Sequence, residues 1–445
     1  MIPTDRPGSA LPAPRGIWPQ MRRDFAGRWD VSHSLALAGL VAPGLAMWAP
    51  LGMAPLLVVV AVAALGFGWR DRIWRRFPQK IGLILAGLCL WAGLSALWAV
   101  DPRQSLFSAA QLALTTFAGM VVVASAQGLD ATAARRIGLA VTVGVMIGLA
   151  LFALGLATGA RLTAFSHGLQ TGDFTAYRLS TQRFNRGATV TLLLAVPALV
   201  GLRRFPVGIA RSVLAAPCLA LALVVKALAA KALVLCGLIA LILFRTPSRR
   251  AGAALGAVLV ALVVLVPAAA HLLPPPQVTI GWSLVPYSSH HRLTIWGFTA
   301  ARIWERPLLG WGMDSARSIP GGEDEVVVRL ENPRGSGNMS ELSEQVMPLH
   351  PHNAILQWWL ELGAVGAGLF ALLLWRLAGL AVAGTPPPHS RVAAASLLLG
   401  CLVVSVVSFG FWQSWWQSSM WMLTAWLIAV TASVSPKPPS DESVP

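Results

Sequence analysis

The stretch Leu349-His350-Pro351-His352-Asn353-Ala354-Ile355-Leu356-Gln357-Trp358-Trp359-Leu360-Glu361-Leu362-Gly363-Ala364-Val365-Gly366 decides how this chain is read. A polar segment ends inside it and an apolar helix begins. Pro351 favours extended backbone before it and a helix start after it. His352 is therefore expected in the first helical turn, at a water–membrane boundary, on an apolar stem. An imidazole that is neutral near pH 7 can accept a proton from a hydroxyl. A bland account, in which His350 and His352 are interfacial side chains without chemistry, competes with this one, and composition alone leaves both open.

The surroundings of that stretch set the fold class. The chain has 445 residues, 56% hydrophobic and 12% charged, which describes a polytopic membrane protein. Apolar runs of spanning length fall near 32–50, 52–69, 81–100, 105–126, 137–158, 188–202, 212–226, 229–244, 252–273, 353–375, 392–412 and 416–434. The run 212–244 is too long for one span and is interrupted by Lys226 and Lys231, so it is read as a helical hairpin turning near 227. The expected fold is an all-α polytopic membrane protein of about twelve transmembrane helices with a large periplasmic loop. Nineteen Trp against two Tyr point to Trp at membrane interfaces and in helix packing.

The formal charge of +16 raises nucleic acid as a partner. Position argues against it, because the basic residues sit in short loops between apolar runs, where the positive-inside rule and anionic headgroups account for them. Of the 34 Lys and Arg, 21 fall on the side that holds both termini, which makes that side cytoplasmic. Residues 1–31, Pro- and Arg-rich, read as a disordered cytoplasmic tail rather than a cleaved leader, and 435–445 as a second cytoplasmic tail. The bundle is read as 32–273 plus the last three helices in 352–434. Cys89, Cys218, Cys236 and Cys401 lie in apolar runs without metal-site spacing and read as small core hydrophobes.

Two outer loops remain, near 159–186 and 274–351. The second opens on Pro274-Pro275-Pro276, which stops the preceding helix. Residues 290–306 read as an amphipathic helix, with Ile295, Trp296, Phe298, Ile303 and Trp304 apolar and Arg292, Arg302 and Glu305 polar. Residues 318–340, rich in Gly, Pro, Ser and acids, are expected to form a flexible loop. The cluster Glu323, Asp324 and Glu325 reads as a solvated acidic turn rather than a metal site. Gly310 and Gly312 suit a tight turn after Pro307, and Gly363, Gly366 and Gly368 suit close helix–helix approach. The chain lacks a P-loop, against a nucleotide-driven pump. Asp and Glu are nearly absent from the spans, against an ion-coupled transporter.

His352-Asn353 followed at nine residues' distance by Gly363-Ala364-Val365-Gly366 resembles the signature of the bacterial O-antigen ligase family, which includes O-antigen polymerases and protein O-oligosaccharyltransferases. Arg292-Leu293-Thr294-Ile295-Trp296 with Pro307-Leu308-Leu309-Gly310-Trp311-Gly312 is similar to its second block, and Arg178-Leu179-Ser180-Thr181-Gln182-Arg183-Phe184-Asn185 looks like its arginine-to-asparagine block. Arg186-Gly187 follows where many members have Pro-Asn, so Arg178, Arg183 and Arg186 all stay open as the phosphate contact.

The resemblance implies an inverting glycosyltransferase of the bacterial inner membrane with a periplasmic active site. The donor would be a glycan on undecaprenyl diphosphate and the acceptor a lipid A–core hydroxyl. An O-antigen or exopolysaccharide polymerase and transfer to protein are the alternatives. In that account His352 is the general base. Arg178 and Arg292, with Arg186 and Lys231, bind the diphosphate, since guanidinium forks match phosphate oxygens. His350, Asn353 and Arg183 are candidate supporting residues. No cofactor is expected: neither metal nor ATP is needed when the leaving group is a diphosphate. Activity is expected to fall below about pH 6 as the base protonates.

Overall fold

In the computed structural model of the chain the described residues are 29–68, 76–159, 161, 184–204, 208–225, 227–274, 278, 287–331, 339–384 and 387–431. Among them are thirteen α-helices: α1 (Val31–Trp48), α2 (Met53–Gly68), α3 (Gln79–Leu94), α4 (Pro102–Ala126), α5 (Ala131–Ala157), α6 (Asn185–Gly201), α7 (Gly208–Val224), α8 (Leu228–Leu243), α9 (Arg249–His271), α10 (Tyr287–Glu305), α11 (Ala354–Ala383), α12 (Pro388–Val407) and α13 (Ser414–Thr431). Eight are long and apolar enough to cross a membrane, counting the short turns that extend α2 and α3: α1–α5, α9, α11 and α12. The apolar helices α6, α7 and α8 are shorter, at 17 residues or fewer. The protein is an all-α polytopic membrane protein.

Local chemistry sets many helix starts. Asp30, Asp101, Asp130, Ser248 and Asn353 each cap a helix by accepting backbone N–H bonds, and Pro102 follows the Asp101 cap at the first helical position. The run 212–244 does break into two helices, with residues 225–227 between them.

The helices bury two main cores. α1, α2, α5, α6 and α13 share the larger, and α3, α9, α11 and α12 the other. Trp358, Trp415, Trp416 and Trp426 are among the largest fully buried side chains. Buried indole N–H groups need acceptors: Trp426 donates to the Leu35 carbonyl at 2.9 Å and Trp416 to Ser405 Oγ at 2.9 Å.

α10 lies over the ends of α9 and α11. Its Ile295, Ala300 and Ile303 pack with Trp311, Ile319, Met347, Leu356 and Leu360 in a small separate core. Trp304, expected on the apolar face, instead points outward and is 53% exposed. The expected flexible loop at 318–340 is corrected in part. Glu325–Glu331 (β1) and Met339–Gln345 (β2) form an antiparallel pair with Glu325 opposite Gln345. His291 Nε2 donates to the Gln345 carbonyl at 2.8 Å and ties the hairpin to α10.

Candidate active site

α11 is interrupted at its ninth to eleventh residues. Gly363 has φ 62°, ψ −164°, a conformation open essentially to glycine alone. A break in a buried helix frees backbone groups, and each must find a partner. Here the turn 307–312 supplies them. Trp311 N–H donates to Leu360 O and Gly312 N–H to Glu361 O, both at 2.9 Å, and Ala364 N–H donates to Pro307 O at 2.8 Å. The indole of Trp91 donates to Leu362 O at 2.9 Å. The two glycine clusters thus meet each other. Gly363 serves this joint rather than helix–helix approach, which corrects the sequence expectation.

Glu361, 0% exposed, is the hub of the joint. Its Oε2 accepts from the Asp314 N–H at 2.5 Å and from the Trp412 indole, and its Oε1 accepts from Gln357 Nε2 at 3.1 Å. Gln357 Oε1 in turn accepts from the Phe411 N–H at 2.9 Å. One carboxylate therefore fixes both the turn at Asp314 and the corner 408–413.

His352 sits just before the helix, not in its first turn as the sequence suggests. Asn353 is the cap; its Oδ1 accepts from Ile355 N–H at 3.0 Å and Leu356 N–H at 3.2 Å. His352 is left-handed, with φ 53°, and among the described residues only Asp314 (φ 58°) shares that state without being glycine. Such backbone costs about 1–3 kcal/mol and persists where the surroundings over-determine it. His352 Nδ1 lies 2.9 Å from the Ser408 carbonyl, an acceptor only, so Nδ1 carries the proton and Nε2 is left as the basic nitrogen. His350 stands edge-on to it with ring centroids 4.2 Å apart. Its Nδ1 accepts the His352 N–H at 3.1 Å and its Nε2 lies 3.4 Å from Gln413 Nε2. Accepting at Nδ1 puts the proton of the neutral His350 ring on Nε2.

Electrostatics separate the two rings further. Burial, then His352, Arg317, Arg186 and Arg292, push the His350 imidazole down to about 3, so it stays neutral at any working pH. Burial also lowers His352, helped by Arg292 and His291 and opposed by the bond to Ser408. Arg292 is itself held below the ordinary guanidinium value by burial. Arg186, Arg292 and Arg317 thus all act on His350, and Arg292 acts on His352 as well.

Arg186 and Arg317 line a polar cavity of about 420 Å³ with Asp314, Gln413, Trp412 and Trp415. Arg317 Nε donates to Asp314 Oδ2 at 2.9 Å, and the Arg186 guanidinium lies 5.8 Å from the Trp415 ring. Lys231 lies on the first turn of α8, exposed, and is not part of the cavity wall. Arg178 and Arg183 fall outside the described residues. Arg302 pairs with Glu305 at 2.9 Å, and Arg306 stacks over Trp311 at 4.0 Å. Asp314, Arg317, Glu361 and Gln413 were not singled out for the site by the sequence. The spacing Asp314…Arg317, three residues apart and beginning two residues after Gly312, is the one local signal for two of them.

Residues 212–371 match the family model described as O-antigen ligase. That is the family to which this segment is similar. Relatives include proteins named "Putative polysaccharide ligase": one from Rickettsia conorii, 28% identical over 172 residues, and one from Rickettsia prowazekii, 30% identical over 172 residues. These alignments span 38% of this chain, and 39% and 40% of the two relatives. The chain thus spans about two fifths of the length of the curated relatives it matches.

The matched segment contains Arg292, Asp314, Arg317, His350, His352 and Glu361. Its partners at the site come from outside it: Gln104 and Ser108 on α4, Arg186 at the start of α6, and the corner that carries Ser408, Trp412 and Gln413.

A pH dependence follows. A base works in its neutral form, and a lowered value keeps His352 neutral to below its ordinary 6.5. The acid limb of a pH–rate profile is expected below pH 6.5, since His350 titrates too low to supply it. Arg292→Gln removes a neighbouring cation and is expected to move that limb upward. Profiles of the two proteins check this; an Arg292→Gln limb at or below the wild-type position contradicts it.

Proposed function

We propose that the chain is an O-antigen ligase that transfers a glycan from undecaprenyl diphosphate to a lipid A–core hydroxyl on the periplasmic face of the bacterial inner membrane. The observation that carries the reading is His352, with Nδ1 fixed on the Ser408 carbonyl, Arg292 near it, and Arg186 and Arg317 near the adjoining His350. Nε2 takes the proton of the acceptor hydroxyl. The acceptor oxygen attacks the anomeric carbon from the face opposite the diphosphate, and the C–O bond to the diphosphate breaks. The electron pair leaves on phosphate oxygen, and configuration inverts. Arg292 and Arg186, with Arg178, bind the diphosphate and stabilise its growing charge, an electrostatic term that is often the largest in catalysis. Partial burial of Arg292 strengthens its attraction for an anion.

A second feature supports a lipid-linked donor. An apolar crevice of about 430 Å³ runs between α3, α4, α11, α12 and α13, lined by Leu85, Leu88, Trp358, Leu402, Phe411 and Trp421. Its Trp358 ring packs 4.7 Å from Trp412, which lines the polar cavity. A prenyl chain suits the first space and its diphosphate-sugar head the second.

The test supplies purified protein with undecaprenyl-diphosphate glycan, with and without lipid A–core. Glycan on lipid A–core is the expected product. Lengthening of the donor glycan without added acceptor would instead show a polymerase.

A further inference from the structure

The proposed transfer gives Asp314 no role. Asp314 is 4% exposed, its backbone is left-handed, and its Oδ2 accepts three bonds, from Gln104 Nε2 at 2.7 Å, Ser108 Oγ at 2.8 Å and Arg317 Nε at 2.9 Å. A carboxylate held so firmly beside two arginines is a poor element of a phosphate site, because it repels anions. It is a good element of a sugar site. Ionised carboxylates only accept hydrogen bonds, and sugar hydroxyls donate them. The rest of the wall fits the same ligand. Gln413 and Gln104 offer amides that both donate and accept, and Phe107, Trp412 and Trp415 offer aromatic surface to the C–H faces of a pyranose. The volume, about 420 Å³, lies within the range of about 300–1,000 Å³ usual for small-ligand sites.

We propose that this cavity is a pyranose-binding subsite in which Asp314 is the residue that selects the glycan. The inference rests on the reading of the chain as a glycan transferase and adds which side chains hold the sugar. Gln413 joins the subsite to the base: its amide lies 3.4 Å from His350, whose ring abuts His352. Glu361, through the Asp314 N–H and the Trp412 indole, is the positioning residue for both walls.

The test titrates the full-length protein in detergent with two probes, following tryptophan fluorescence. One probe is the oligosaccharide released from its lipid carrier; the other is inorganic pyrophosphate. Asp314→Asn is the first variant, since Asn tolerates left-handed backbone. Phe107→Ala is the second; its side chain is 66% exposed, so its loss spares the core. Asp314→Asn is expected to weaken oligosaccharide binding by about tenfold or more, the scale of one charge-assisted hydrogen bond, and to leave pyrophosphate binding no weaker, since it removes an anion from beside Arg186 and Arg317. Phe107→Ala is expected to weaken the oligosaccharide alone, by less. Two results overturn the proposal: no oligosaccharide binding by the wild type, or a loss of pyrophosphate binding with oligosaccharide binding intact. The transfer reading fails separately, if the wild type binds the oligosaccharide through Asp314 yet moves no glycan from the lipid-linked donor.

Discussion

Gly363→Ala is expected to unseat the 307–312 turn and lower the thermal unfolding midpoint in detergent, while Gly368→Ala, five residues on, leaves it unchanged or raises it. At Gly363 a Cβ would lie 2.2 Å from the Leu308 carbonyl oxygen, so backbone would have to move. The φ of 62° with ψ of −164° adds strain of about 1–3 kcal/mol for a residue that has a side chain. Movement of the turn would also strip partners from the carbonyls of Leu360 and Glu361 and from the N–H of Ala364. Gly368 is helical with nothing within 4 Å of an added Cβ, so alanine there gains helix propensity of about 1 kcal/mol. Equal midpoints for the two variants would contradict this account of the joint.

That joint also shows how far the sequence could be read. Apolar runs announce spans because a bilayer demands length and composition, and the main helices follow them. The split near 227 was legible from Lys226 and Lys231. Caps were legible in principle at Asp101-Pro102 and Asn353. The break at Gly363 was not. A glycine in an apolar helix fits close packing or a backbone break equally well, and the choice depends on a turn fifty residues away. The hairpin at 325–345 was hidden by its Gly-, Ser- and acid-rich setting, although Val326-Val327-Val328 is a β-branched run.

The candidate site was legible where chemistry sits beside a boundary. His350, His352, Arg186 and Arg292 are singled out by the sequence, and the structure places them near one another. Its carboxylates were not legible. Glu361 lies in an apolar run, where it reads as an isolated polar residue, and Asp314 reads as part of a turn. Only the fold shows that the Glu361 carboxylate binds the Asp314 backbone, and that Gln104 and Ser108, some two hundred residues earlier, hold the Asp314 side chain. Ser408, which fixes the tautomer of His352, is invisible in the same way, because its backbone carbonyl does the work.

His352→Ala is the second of the large effects, and it bears on the account's central claim. A positioned base contributes about 10²–10⁴-fold to proton transfer. The side chain is held by the Ser408 carbonyl and stands against His350, while the helix behind it is capped by Asn353, so alanine leaves the backbone partners in place. Alanine also relieves no clash and removes no charge from the diphosphate contacts, so donor affinity should persist. The measurement is single-turnover transfer to lipid A–core at saturating donor near pH 7.5, wild type against His352→Ala, with donor binding measured on the same samples. The account predicts unchanged binding and a rate about 10²-fold lower or more. A loss of less than about tenfold, with binding intact, would contradict His352 as the general base.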